Sequence, residues 1–265
     1  MPFKQVIVVT KLNRKDLRPQ SKQFHRETLK NVLRFLQSSA VKYRVANRND
    51  LQKPLHADLI ITVGGDGTLL AASHYAKNSP LFGINSAPQT STGFFCLAGP
   101  KNFRRILKEI LAGKRKPSLV PRLEVRLNRR KLKPYGLNDL LFASRLQGET
   151  ARYTLCVGKK KEEQKSSGVW VATGAGSTGA IYSAGGKKTS PYSKNLQYVV
   201  REPCRFPKNN HRLLKGFIKT GETIKIISEM QQGMVFIDGG KWHYHVPKKS
   251  VITVRGGVSL QPIFL

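Results

Sequence analysis

The segment Gly64-Gly65-Asp66-Gly67-Thr68 concentrates residue types that handle phosphate. Three glycines within four positions let backbone N–H groups reach phosphate oxygens with no Cβ in the way. A carboxylate in the same turn is a poor phosphate ligand, because like charges repel, so Asp66 points to another task. Accepting the proton of an attacking hydroxyl fits it. Phosphoryl transfer passes through a loose transition state, proton removal can be late, and an ordinary aspartate suffices. The same residues also make a common tight turn, since Asp-Gly is a frequent turn pair. The loop is not a Walker A loop, because no Gly-Lys-Ser/Thr follows at the required spacing.

A second small-residue segment runs from Trp170 through Thr173-Gly174-Ala175-Gly176-Ser177-Thr178-Gly179-Ala180 to Ser183-Ala184-Gly185-Gly186. The hydroxyls of Thr173, Ser177, Thr178 and Ser183 can bond ribose, amide or phosphate groups. The small side chains let a flat ring lie against the backbone. A closely packed helix capped at Ser177 or Thr178 would use the same composition.

Both segments need strands and helices to hold them. The apolar run Val6 to Val9 reads as a buried parallel strand, and Phe24, Leu29, Val32, Leu33 and Leu36 recur at helical spacing over 21–37. Tyr43 to Ala46 reads as a short strand. Asp58 to Val63 is a β-branched strand that ends at the glycine loop, with a helix expected to begin near Thr68. Ligands bind at such strand-to-helix turns in open α/β sheets, where the helix N-terminus adds partial positive charge. Strand 80–85 and helix 102–111 continue the alternation, which implies βαβ units. Past Lys116-Pro117 the chain turns to short β-prone stretches at 119–127, 140–143, 153–157, 169–173, 223–227, 234–237 and 251–254. A helix is expected over 177–184, and an exposed hairpin tip at Lys159 to Glu163. The expected plan is an N-terminal Rossmann-like parallel α/β domain over 1–117 and a C-terminal β-rich, β-sandwich-like domain over 118–265. The last strand, about 250–265, is expected to pack back on the first domain.

Composition bounds the reading. At 265 residues with 39% hydrophobic and 23% charged residues the chain is globular. No run of about 18 apolar residues suggests a membrane helix, and the apolar N-terminal stretch is too short for a signal peptide. Cys96, Cys156 and Cys204 form no Cys-x-x-Cys pair, which argues for a reducing, cytoplasmic setting and against a zinc site. Forty-seven Lys and Arg against fifteen Asp and Glu give +32, with 13 basic and two acidic residues between Lys101 and Tyr135. Such a field attracts polyanions, nucleic acid among them, but only non-specifically: zinc-finger spacing, an RNP-like aromatic motif and a basic heptad are all absent from the sequence. His243 and His245 share a strand face, and two histidines alone do not complete a metal site.

The two glycine segments, in this order and about a hundred residues apart, resemble the NAD kinase family. That family carries Gly-Gly-Asp-Gly-Thr in an α/β domain and later a Gly-Ser-Thr run leading into Ser-Ala-Gly-Gly. Asn138-Asp139 is similar to its dinucleotide-binding Asn-Glu pair. Gly83-Ile84-Asn85 with Gly93-Phe94-Phe95, and Phe236-Ile237-Asp238-Gly239, are similar to two further family segments. The likeness runs from about residue 58 to 240. Ala180 stands where an aromatic is usual, and the loop after Asn85, Gln164 to Gly168 and Arg201-Glu202-Pro203 resemble a divergent branch that includes mitochondrial-type members.

The resemblance implies the NAD kinase fold and transfer of a phosphoryl group from ATP, or another triphosphate or polyphosphate, to the 2′-hydroxyl of the adenosine ribose of NAD. It implies Asp66 as general base, and Gly64, Gly65, Gly67 and Thr68 on the donor's phosphates. Asn138 and Asp139 would hold the acceptor's sugar hydroxyls, with Thr178, Gly179, Ala180 and Ser183 lining the dinucleotide pocket. It further implies Mg²⁺ accompanying ATP, with no protein ligand named, and a homodimer or higher homo-oligomer. Two alternatives stay open at this point. Lipid kinases of the diacylglycerol or sphingosine type share the glycine loop and the two-domain plan. A non-catalytic nucleic-acid-binding protein could be built on the same kind of fold.

Overall fold

The computed structural model describes residues 3–11, 19–204 and 211–265. They divide into two compact units, Met1–Leu119 with Gln261–Leu265, and Val120–Leu260.

The first unit alternates β1 (Gln5–Thr10), α1 (Pro19–Ser38), β2 (Lys42–Asn47), β3 (Leu59–Gly64), α2 (Asp66–Ser73), β4 (Leu81–Asn85) and α3 (Phe103–Leu111). The strands lie in the order β2-β1-β3-β4, all parallel, with Val6 opposite both Tyr43 and Leu59, and Ile60 opposite Leu81. Every residue of β3 and β4 is buried, which is why both read as unbroken apolar runs rather than alternating ones. Val32 and Leu36 of α1 and Phe103, Ile106, Leu107 and Ile110 of α3 pack with Val6, Val8, Leu59, Ile61 and Phe82 of the sheet. Phe35 and Phe103 meet edge-on with centroids 6.4 Å apart. Each large side chain so buried contributes about 1.5–3 kcal/mol.

The second unit is built from β5 (Ser118–Leu127), β6 (Arg130–Lys131), β7 (Asp139–Ser144), β8 (Ala151–Val157), β9 (Lys160–Ser166), β10 (Gly168–Ala172), the one-turn α4 (Ala180–Ser183), β11 (Leu196–Arg201), β12 (Lys215–Ile218), β13 (Thr223–Ser228), β14 (Gly233–Ile237), β15 (Trp242–Val246) and the front of β16 (Val251–Phe264). One antiparallel layer runs β16-β13-β8-β9, with β5 also paired to β16. The other runs β12-β11-β10-β7-β14-β15, also antiparallel. Inward residues of both layers share one core, including Phe142, Val171 and Val235 from one and Tyr153, Ile226 and Ile252 from the other. Phe142 and Tyr153 meet at 5.4 Å and 79°. The Tyr153 hydroxyl, which must find partners when buried, bonds Ser166 Oγ at 3.0 Å and the Gly168 carbonyl at 3.2 Å. The far end of β16 belongs to the first unit, where Ile263 and Phe264 pair in parallel with Leu81 and Phe82.

Three local expectations need correction. The helix after the glycine loop starts at Asp66 rather than near Thr68, because Gly65 already has extended backbone and serves as N-cap. The helix expected over 177–184 is a 3₁₀ turn, Ala175–Thr178, then α4, broken where Gly179 takes a non-helical conformation. Lys160 to Glu163 are not a hairpin tip but the first half of β9, paired from Lys160 opposite Val157 to Ser166 opposite Ala151, with the turn at Gly158-Lys159. The three cysteines are free thiols.

Candidate active site

Within the first unit, the carboxyl ends of the parallel strands open onto a cleft of about 370 Å³. Residues from four strand ends line it: Lys11 after β1, Arg48 after β2, Gly65, Asp66 and Gly67 after β3, and Asn85 to Ala87 after β4. Ser21 and His25 of α1 and Thr90 to Thr92 complete the wall. A Cβ added to Gly65 would fall 2.3 Å from Ser91 Oγ, so any larger residue there would force the Ser91 hydroxyl to turn away.

Asp66 is half-buried, at the first helical position of α2. Its Oδ1 accepts the Phe95 N–H at 2.8 Å and its Oδ2 the Phe94 N–H at 3.0 Å. Each carboxylate oxygen has two lone-pair directions, so both retain one for a substrate hydroxyl. The two N–H bonds fix the carboxylate against the Gly93-Phe94-Phe95 segment and leave it facing the cleft. The other loop residues divide. Gly67 lines the cleft, whereas Gly64 and Thr68 are buried behind it, Thr68 packed where any Cβ on Gly64 would fall.

His25 is buried beside the same cleft. Its Nε2 lies 3.1 Å from both the Lys11 carbonyl and Thr10 Oγ1, and its Nδ1 lies 2.8 Å from Ser86 Oγ. A carbonyl only accepts and the Thr10 hydroxyl already donates to Val63 O, so the proton is assigned to Nε2 and Ser86 donates to Nδ1. Burial, and then the nearby Lys11 charge, hold its pKa below the ordinary histidine range.

The second unit gathers another constellation around β7. Asp238 sits in the turn after β14 with φ +50°, and its carboxylate accepts the N–H groups of Leu137 (2.8 Å), Asn138 (2.7 Å) and Asp139 (3.0 Å). Thr173 holds the same backbone from the other side, donating to the Leu137 carbonyl at 2.6 Å while its N–H reaches Asn138 O at 2.9 Å. The turn carrying Gly176 presses so closely on Asn138 that any side chain there would overlap its carbonyl. Asn138 is thereby fixed with a buried Oδ1 that has no partner within the protein, which a ligand donor would satisfy. Asp139 is 6% exposed, and burial, reinforced by the Asp238 charge, pushes its pKa up to about 8. Near neutrality it keeps its proton and offers both a donor and an acceptor. Gly179 lies over this pair, its Cβ direction 3.8 Å from Asp139 Oδ2 and 3.9 Å from Asn138 Nδ2. Thr178 is half-buried in the 3₁₀ turn, and Ala180 and Ser183 are on the exposed side of α4. Tyr182, near the aromatic position that Ala180 leaves vacant, is also exposed, with Lys188 Nζ 4.7 Å above its ring.

Of the candidates named from the sequence, Asp66, Gly65 and Gly67 line the cleft and Asn138, Asp139 and Gly179 lie together at the start of β7, whereas Lys11, His25 and Arg48 line the cleft without having been singled out. The usable signal for Lys11 and Arg48 was position: each follows a parallel strand at its carboxyl end.

Residues 11–115 match the family described as ATP-NAD kinase N-terminal domain. The chain is 34% identical over 264 residues to a probable NADH kinase of Oryza sativa subsp. japonica, covering 91% of this chain and 81% of that one. The chain belongs to the NAD kinase family. A further family relative, the NAD kinase of Aquifex aeolicus, is 29% identical over 239 residues, 86% of this chain and 85% of its own. The fold of this family member matches an NAD kinase from Archaeoglobus fulgidus crystallised with ATP, at TM-score 0.76 and 24% identity over 98% of this chain and 93% of that one. It also matches yeast NADH kinase complexed with NADH, at TM-score 0.77 and 18% identity over 99% and 83%.

Proposed function

We propose that this kinase transfers the terminal phosphoryl group of ATP to the 2′-hydroxyl of the adenosine ribose of NAD or NADH, with Asp66 as the general base. The observation that carries this is the Asp66 carboxylate. It is held by two backbone N–H groups at the start of α2, faces a cleft at the strand ends, and keeps a lone pair on each oxygen. As the phosphoryl group leaves the donor, the ribose oxygen bonds to phosphorus and its proton passes to Asp66. Gly65 and Gly67 offer backbone to the donor's phosphates, with Gly64 and Thr68 shaping the loop behind them. Asn138 and Asp139 receive the acceptor's sugar hydroxyls, with Thr178, Gly179, Ala180 and Ser183 around the dinucleotide. We take the change of character near Lys116-Pro117 as the boundary between a donor-binding and an acceptor-binding domain.

Mg²⁺ would accompany the triphosphate and neutralise its charge. Among the described residues no cluster of three or more His, Cys, Asp or Glu could hold a metal, and Asp66 is the one carboxylate lining the cleft. That donor set fits an ion held chiefly by the phosphates. We further infer a homo-oligomer, at least a dimer, from the family resemblance, and a reducing, cytoplasmic setting from the free thiols. No described helix is long and apolar enough to cross a membrane.

The deciding experiment is a matrix of donors (ATP, polyphosphate) against acceptors (NAD, NADH, diacylglycerol, sphingosine), read as NADP, NADPH or labelled lipid. NADH belongs in it because the rice relative is named a probable NADH kinase. Formation of NADP or NADPH from ATP is expected. Labelled lipid with neither pyridine product would overturn the reading.

A further inference from the structure

One face of the first unit is strongly basic, and phosphoryl transfer has no use for it. α1 and α3 lie side by side on the sheet and touch through Phe35 and Phe103. The buried stripe of α1 holds His25, Thr28, Val32 and Leu36. That turns Arg26, Lys30 and Arg34 together to solvent, one cation for each turn of about 6 Å. α3 buries Phe103, Ile106, Leu107 and Ile110 and leaves Arg104 and Lys108 exposed, with Lys101 just before it. Arg105 is balanced by Glu109 at 3.0 Å. Among the described residues, Arg26, Lys30, Arg34, Lys101, Arg104 and Lys108 take part in no ion pair. Glu27, three positions before Lys30, is the one acid on α1. Neither arrangement helps the helices. Like charges four residues apart repel, and α3 has no acid in its first turn, where Arg104 and Arg105 meet the positive end of its dipole.

A cavity of about 500 Å³ opens between α1 and the segment that leads into α3, with Lys101 in its wall. Phe24 lines it while 42% exposed. Asn31 and Gln89 line it too, and their side chains make no hydrogen bond among the described residues. An aromatic face beside free amides, which offer both donors and acceptors, suits a nucleobase. A lipid surface would favour an aromatic side chain that protrudes, whereas Phe24 stands in a cavity wall. We propose that the α1–α3 face docks a single-stranded nucleic acid, its phosphates along the two cation rows and one base in the cavity against Phe24. Such docking is sequence-tolerant, because phosphates carry no sequence and every base has a π-face. It gives part of the +32 excess a location and stands apart from the kinase reaction.

The test is fluorescence anisotropy of a labelled oligouridylate of about twelve nucleotides with the full chain. Wild-type affinity should fall with salt at a log–log slope of about −4, from about 0.7 for each phosphate that the six cations neutralise. The triple variant Arg26→Ala, Lys30→Ala, Arg34→Ala should bind about tenfold or more weakly at about 0.1 M salt and flatten the slope by about two, with NADP formation and the thermal midpoint little changed. Should it not fold, glutamine at the three positions gives the same comparison. Phe24→Leu should lose about fivefold or more, and Phe24→Tyr should keep wild-type affinity, which separates stacking from bulk. The control Lys159→Ala, Lys160→Ala, Lys161→Ala removes the same charge from an exposed turn of the second unit and should leave binding within about twofold. An equal loss in that control would overturn the proposal in favour of diffuse attraction to net charge. So would retained affinity in the folded α1 variant, or preference for phosphatidylserine vesicles over the oligonucleotide. Release of the oligonucleotide by ATP at its KM would give the cavity to the donor and overturn it as well. These results leave the kinase assignment standing, whereas a chain that binds the oligonucleotide here yet makes neither NADP nor NADPH loses that assignment alone.

Discussion

The turn after β3 and the turn before β7 use the same residue type for opposite purposes. Asp66 is half-buried, with a backbone N–H on each carboxylate oxygen and a cleft in front. Asp139 is sunk in the second unit, where burial and the Asp238 charge hold its carboxyl protonated to about pH 8. Asp238 sits a few ångströms away and spends its oxygens on three backbone N–H groups. Three aspartates are thus placed as proposed base, neutral hydrogen-bonding group and backbone anchor. What separates them is solvent and N–H supply, not chemistry of the side chain.

The sharpest way to break this contrast is Asp66→Asn. The amide cannot take the ribose proton, and NADP formation should fall about 10²- to 10⁴-fold with the thermal midpoint little changed. Near wild-type turnover would end the base assignment. Asp238→Ala comes next. It strands three N–H groups, so denaturant titration should report about 3 kcal/mol lost, and the KM for NAD should rise with that for ATP unaffected.

Asp139→Asn tests the neutral role. The folded pKa lies above the ordinary value of 3.8, so folding favours the protonated form. That stabilisation is complete at low pH and disappears as pH rises through about 8. The asparagine variant should keep dinucleotide affinity within about tenfold at pH 7, and its melting temperature should not share the wild type's decline between about pH 4 and pH 8. An identical decline would place the titration elsewhere. His25→Gln carries the smallest effect. Its pKa is lowered on folding, so the unfolded chain binds more protons and wild-type stability falls as pH drops below the ordinary 6.5. The variant should flatten that acidic limb in pH-dependent melts.

How much of this was legible follows from how local each signal is. The parallel strands announced themselves because burial on both faces made them unbroken apolar runs, and the glycine loop because its function lies within consecutive residues. β9 hid behind Lys160-Lys161-Glu162-Glu163, since its buried positions are the polar Gln164 and Ser166 rather than apolar side chains. β11 and β12 passed unread between loops. Arg48 and Lys11 could not be joined to Asp66 by spacing, because parallel pairing brings strand ends together irrespective of their distance along the chain. Asp238 anchors backbone about a hundred residues earlier, and no pattern around Phe236-Ile237-Asp238-Gly239 announces which amides it holds.

The course of β16 has a consequence for synthesis. The first unit leaves off at Leu119 and is completed only by Gln261–Leu265, so the whole β-sandwich is an insertion within it. A ribosome has delivered β1 to α3 long before Ile263 and Phe264 exist to cover the flank of β4. Until then the Leu81-Phe82 edge waits with unpaired amides and carbonyls, open to pairing with a neighbouring nascent chain. The first unit is therefore started before the second and finished after it, and its open edge is where chaperone protection would matter most.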